Sequence, residues 1–167
     1  EKVMKELGII LLIVMAGILA AVLYRRSKQQ QRREVGMTPL SEADRLLLQK
    51  EVPLYATLPA EFTKEMDARI QIFLHDVGFE PCGNLEEVTR EMQLIIASQA
   101  CLLLLASGYD HFGLLRSVLV YPTAYEVEDE LGIKSIRLGE SWMSGSVVLS
   151  WESVKQGSRN EEDGLNV

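Results

Sequence analysis

Residues 89–108 read Thr-Arg-Glu-Met-Gln-Leu-Ile-Ile-Ala-Ser-Gln-Ala-Cys-Leu-Leu-Leu-Leu-Ala-Ser-Gly, and the reading of this stretch decides the fold. Thr89 is placed to cap a helix, Glu87 and Glu91 put negative charge near its start, and Gly108 supplies a stop. From Met92 to Ala106 almost every position is apolar, so the helix is either a membrane span or the middle of a core. Length decides between them. The apolar run Leu94–Ala106 is interrupted by Ser98 and Gln99 and is shorter than the roughly 20 residues a span requires. The segment therefore reads as a buried central helix, with Met92, Ile95, Ile96, Leu102, Leu103 and Leu105 turned into the core.

A second apolar stretch, Leu7–Tyr24, reads the other way. It runs through 18 residues without a charge. As a helix it extends about 27 Å, close to the hydrocarbon thickness of a bilayer. A cleaved signal peptide is the rival. Against it, the run is long, the positive charge follows it, and Arg25-Arg26 occupy the place of a small-residue cleavage site. Five basic residues and no acid lie between Arg25 and Arg33, which marks a cytoplasmic flank, N-terminus out and domain in. Tyr24 suits an interfacial anchor. Ala16/Ala20 and Gly17/Ala21 form small-x-x-x-small pairs of the kind that bring two spans together as a homodimer.

The net charge of −7 conceals an asymmetry, because the residues from Glu34 onward carry 10 basic and 22 acidic side chains, a balance of 10 − 22 = −12. An acidic domain argues against a phosphate-binding surface, so nucleic acid is not an expected partner. The chain begins at Glu1 rather than Met, and reads as incomplete at its N-terminus. Residues 25–37 read as a basic linker or a frayed helix extension. Thr38-Pro39-Leu40-Ser41-Glu42 opens a helix, and Val52–Pro59 reads as extended because each proline disfavours helix before it. Ala60–Val77 is a helix whose stripe is Phe62, Met66, Ile70, Phe73, Leu74 and Val77. Phe79–Glu87 reads as a loop. Beyond Gly108, Arg116–Pro122, Ile133–Leu138 and Gly145–Trp151 read as three strands. Ala124–Glu130 reads as an acidic loop, Gly139–Trp142 as a turn, and Glu152–Asp163 as a polar, mobile tail.

Chemistry-bearing residues are few. His75 and His111 are the two histidines, and neither has a second histidine or a carboxylate at helical spacing. Cys82 and Cys101 lie far from any Cys-x-x-Cys spacing, and read as reduced thiols. A zinc site takes three protein ligands, which this set does not assemble from sequence. No nucleophile elbow, phosphate loop or dinucleotide fingerprint is present. The residues alone give no catalytic group and no metal ligand.

Several blocks carry a family resemblance. Thr89, Glu91-Met92, Ile96-Ala97 and Gln99-Ala100-Cys101-Leu102 through Leu105 resemble a Thr-x-Glu-Met…Ile-Ala-x-Gln-Ala-Cys-Leu-Leu-Leu-Leu pattern. It belongs to the Mlc titration factor A family of zinc-dependent, glucose-regulated metallopeptidases. Pro53-Leu54-Tyr55 through Pro59, Val118–Pro122, Leu138–Trp142 and Val147–Trp151 are similar to further blocks of that family, in the same order. Arg90 departs from the usual Asp, and Ser144-Gly145-Ser146 departs from a usual Gly-Pro pair. Asp163-Gly164-Leu165-Asn166-Val167 is similar to the segment that in the family precedes a His-Glu-x-x-His helix, although Leu165 is often His there.

The transmembrane helix (7–24) is followed by a domain that the resemblance makes zincin-like over 38–167, so the fold class is α+β. Helices would surround the central one, with a small sheet of about three strands. The resemblance implies a zinc metallopeptidase, aminopeptidase-like, whose zinc ligands and catalytic Glu lie beyond Val167, so that this chain alone is inactive and binds no zinc. It also implies a peptide or protein substrate, while the apolar run and its basic flank place the chain in a bacterial inner membrane with the domain in the cytoplasm. In peptidases of this type a strand beside the active-site helix holds the substrate backbone. The expected substrate edge is Val147, Val148, Leu149, Ser150 and Trp151, with Gly145 and Ser146 leaving room for another backbone. The competing class is a non-catalytic, membrane-tethered protein-binding domain.

Overall fold

In the computed structural model the described residues are 2–107, 112–128, 134–137, 139–141 and 145–159. The chain opens with α1 (Lys2–Met37), one uninterrupted helix. Its apolar part touches nothing: the most apolar 18-residue window has a mean hydropathy of 2.8 and is 0% buried. The segment 25–37 is not a separate linker but the continuation of this helix. Its last turns are ordered by a partner, the helix α4 (Ala60–Asp76). Arg32 Nε donates to Asp76 Oδ2 at 2.5 Å. Gly36 lies so close that a Cβ there would stand 3.1 Å from Ile72 Cδ1. The 32-to-36 step along α1 matches a 76-to-72 step along α4, so the two helices run antiparallel.

Between them, α2 (Glu42–Glu51) starts at Ser41, whose hydroxyl accepts from Asp44 N at 3.1 Å. The segment expected to be extended contains instead a one-turn helix, α3 (Pro53–Ala56). Proline is tolerated there because it occupies the first helical position, where no intrahelical N–H is needed. In α4 the stripe buries Met66, Ile70 and Phe73 with Val77 just beyond, while Phe62 at the N-terminal end stays exposed.

The central helix is α5 (Arg90–Ser107). Thr89 caps it as expected, its hydroxyl accepting from Met92 N at 3.3 Å. Leu94, Ile95, Ala97, Ser98 and Cys101 are fully buried, with Leu48 of α2 and Met66 and Ile70 of α4 around them. Both polar interruptions find a partner for their donors, although Gln99 Oε1 is buried with none among the described residues. Ser98 donates to Ile95 O at 2.8 Å, and Gln99 Nε2 donates to Val154 O at 2.9 Å. Of the residues placed in the core by the sequence, Ile95 and Ile96 are buried, Leu102 and Leu105 are half-buried against it, Met92 is half-buried, and Leu103 is 53% exposed, while Leu94 and Leu104 are buried instead. A helix apolar on all sides does not declare which face its neighbours cover.

The main sheet has the order β1-β2-β6-β5. Strands β1 (Gly78–Pro81), β2 (Ser117–Tyr121) and β6 (Ser146–Ser150) are parallel, and β5 (Gly139–Ser141) is antiparallel to β6. A separate antiparallel pair joins β3 (Tyr125–Glu128) to β4 (Lys134–Arg137). Thus part of the expected loop after Phe79 is a strand, the acidic stretch after Ala124 is a strand, and the turn at Gly139 is a strand. Each is three or four residues long and gains its ladder from a neighbour rather than from its own pattern. The polar tail is likewise replaced by α6 (Trp151–Arg159), which buries Val154 and Ser158. The α+β class stands, and the sheet is four-stranded rather than three-stranded.

Candidate functional site: the β5 edge of the main sheet

Strand β6, the expected substrate edge, lies inside the sheet. On one side Val147, Val148 and Leu149 face Val118, Leu119 and Val120 of β2; on the other they face Ser141, Glu140 and Gly139 of β5. Both edges of its backbone are therefore taken over 147–149. Trp151 has left the strand and begins α6, where Lys155 Nζ stands 5.5 Å from its ring centroid. The backbone that approaches Gly145 is the chain's own. Gly145 has φ +85°, a Cβ there would meet Leu114 O at 2.3 Å, and Arg116 N donates to Gly145 O at 2.7 Å. The terminal strand on this side is β5, antiparallel to an otherwise parallel sheet. Among the described residues no further strand pairs with its outer side.

Position is given to this edge by the packing behind it. Val118 and Val120 of β2, and Val148 of β6, are buried, and Ser117 and Ser146 hydroxyls lie 3.0 Å apart at the start of the two strands. Behind the sheet, α5 is tied to α6 by Gln99 and by an ion pair of 3.4 Å between Lys155 and Glu91. Arg159 reaches Glu51 of α2 at 2.6 Å, and this guanidinium, then Lys50, holds the Glu51 carboxyl below its ordinary range.

Among the described residues the histidine and cysteines do not converge. His75 is in the last turn of α4, half-exposed, with Nδ1 3.2 Å from Asp76 Oδ1. His111 and the segment 160–167 lie outside the described residues. Cys82 is half-buried, and burial followed by the nearby Glu80 charge raises its thiol. Cys101 is fully buried, and burial pushes its thiol up to about 12, so it stays protonated at neutral pH. A protonated buried thiol is a poor metal ligand, since the thiolate is the binding form. Among the described residues no three His, Cys, Asp or Glu side chains form a group that could hold a metal. The described residues do not by themselves fit a zinc site.

One buried polar cluster was not read from the sequence. Asp67, 4% exposed, accepts from Tyr55 Oη at 2.6 Å and from Arg45 Nε at 2.9 Å, joining α2, α3 and α4. Burial and then the bond to Asp67 raise the Tyr55 hydroxyl well above its ordinary value. The cluster fixes the turn around Pro53. Its signal was present: a carboxylate beside Met66 on a helical core stripe needs a buried partner.

Comparison with known proteins adds the context. Residues 25–167 match the family described as glucose-regulated metallo-peptidase M90. A curated Synechocystis protein, the uncharacterized slr2042, is 30% identical over 171 residues, covering 95% of this chain and 61% of that protein. The Mlc titration factor A of Pectobacterium atrosepticum is 32% identical over 112 residues, covering 62% of this chain and 42% of that protein. The chain thus spans about three-fifths or less of the length of these relatives. No solved structure matches it.

Proposed function

Because the chain belongs to the glucose-regulated metallo-peptidase M90 family, we propose that it is the anchor and scaffold portion of a membrane-bound zinc metallopeptidase. The family match over 25–167 is the observation that carries this reading. Peptide-bond hydrolysis would be the work of a zinc-activated water, held by ligands in the part of the relatives' length that this chain does not cover. The described residues would supply the zincin-like scaffold and the substrate-side edge. On this reading β5 takes the role expected of β6: an extended peptide adds to Gly139–Ser141, and main-chain hydrogen bonds give affinity without demanding a sequence.

The anchor would be Leu7–Tyr24. Its length, its lack of burial and the basic flank support an inner-membrane span with the domain in the cytoplasm. The span would also be the contact of a homodimer, if one forms.

The test begins with the encoding DNA beyond Val167, where a His-Glu-x-x-His codon series is expected, and continues with the whole gene product. That product should retain zinc through dialysis and cleave peptides, and Glu140→Pro on β5 should raise KM with the zinc content and melt unchanged. A whole product with neither metal nor turnover would sink the peptidase reading and leave the non-catalytic tethered binding domain. For topology, protease added outside intact cells should spare residues 34–167; digestion from outside would reverse the orientation.

A further inference from the structure

Leu114 is 86% exposed, the most exposed large apolar side chain among the described residues. A single exposed leucine needs no explanation by itself. Its place in the fold gives this one meaning. It tips the turn Phe112–Arg116, which leads into β2, and two independent contacts hold that turn in place. At its root, Phe112 meets Phe73 of α4 edge-on, with ring centroids 5.9 Å apart. At its tip, Leu114 O is in contact with Gly145, and Arg116 N is bonded to Gly145 O. The exposure of Leu114 is therefore built in and not the result of slack chain.

The direction in which it points follows from topology. The antiparallel packing of α1 on α4 puts the end of α4 at Asp76 on the side where α1 leaves the domain toward its apolar stretch. Gly78 begins β1 two residues later, and its N–H donates to Arg116 O at 2.9 Å. Arg116 is thus level with the end of α4. Leu114 lies beyond it, on the same side as the exit of α1.

Tyr24 precedes Arg32 by eight residues, or about 12 Å of helix axis. The two residues from Arg116 to Leu114 recover up to about 7 Å of that height. With α1 along the membrane normal and this step fully extended, the tip stands about 5 Å from the hydrocarbon edge, inside a headgroup layer that is about 5–8 Å deep. Arg25, Arg26, Lys28, Arg33 and Arg116 are all exposed on this side, and they complement anionic headgroups.

We propose that the Phe112–Arg116 turn is a second membrane contact, seated among anionic headgroups of the same bilayer that α1 crosses. It rests on the reading of α1 as an anchor. With α1 it makes two separated contacts, which fix the tilt of the domain and hence the direction in which the β5 edge faces.

The full chain, with Cys82→Ala, is reconstituted in phosphatidylcholine–phosphatidylglycerol vesicles and labelled with an environment-sensitive fluorophore at one new cysteine. Three positions are compared: Leu114→Cys, Ile13→Cys in mid-span, and Leu46→Cys. Leu46 is exposed on α2, near Asp44, which pairs with Arg90 at the opposite end of α5. The label at 114 should be quenched by headgroup-spin-labelled lipid at least about twofold more than the label at 46, as for a side chain within the interface. The label at 13 should respond to a mid-chain quencher. If 114 behaves like 46 while 13 is quenched, the second contact is wrong and the anchor stands. If 13 is not quenched, the anchor reading fails and the proposal falls with it.

Discussion

Helices α1 and α5 are the two most apolar stretches of this protein, and they end in opposite surroundings. In α1 Leu11, Leu12 and Ile13 touch no other part of the chain, whereas in α5 Leu94, Ile95 and Ala97 are sealed from solvent. Composition does not separate them. What does is the length of the uncharged run and the polar groups inside it. Ser98 and Gln99 are tolerable in a protein core because a carbonyl of α5 and one of α6 receive them. The comparison teaches that an apolar helix is assigned by its interruptions as much as by its hydropathy.

The largest way to break the comparison is to put a carboxylate in each helix. Ile95→Asp buries an unpaired charge at a fully buried site and should cost more than about 5 kcal/mol, abolishing the cooperative melt of the domain. Ile13→Asp should leave that melt unchanged and act on the membrane instead. A carboxylate at mid-span costs about 2.5–3.5 kcal/mol of insertion, so the chain should be released by alkaline carbonate. An unaltered melt in Ile95→Asp would show that α5 is not the core helix.

The same contrast explains what could be read in advance. The caps at Ser41 and Thr89, the stripe Met66–Ile70–Phe73 and the β-branched run of β2 are local signals, and each element formed where they stand. Gly78–Pro81 carries no such signal: Gly-Phe-Glu-Pro is a strand because β2 offers it a ladder. In α6, Gly157 and a single fully buried apolar residue, Val154, conceal a helix that forms by lying on α5. The candidate site suffered most, since membership of a strand in a sheet was legible at Val147–Leu149, but its order in that sheet was not. Strand order is set by contacts distant in sequence, and among the described residues it puts β5, not β6, at the end of the sheet.

A gentler pair sharpens the comparison. Leu94→Ala opens a cavity in a site with no exposure and should lower domain stability by about 3 kcal/mol, read from denaturant midpoints. Leu12→Ala, exposed on α1, should change the same midpoint by less than about 0.5 kcal/mol. Equal effects at the two positions would mean that the domain packs against the apolar part of α1.

The smallest effect concerns how α5 keeps its shelter, which α1 has no counterpart for. One side of α5 is covered by α6, and α6 is fastened to α2 through Arg159 and Glu51. The Glu51 carboxyl is held below its ordinary value of 4.5, chiefly by its hydrogen bond to Arg159. A group with a depressed folded value contributes stability that is complete above 4.5 and is lost as pH falls through that folded value. Acid should therefore loosen α6 from α2 and α5. The Arg159 side chain is 56% exposed, so screening keeps the contribution to about 1 kcal/mol or less. Glu51→Gln keeps the shape of the side chain and removes its titration. Its stability should fall less than that of the parent between pH 7 and the acid side of 4.5. Denaturant midpoints of both proteins across that interval make the measurement, with hydrogen exchange at Val154 and Ser158 reporting on α6 itself. Parallel curves, with α6 protection unchanged in the parent at low pH, would show that the pair does not fasten the helix.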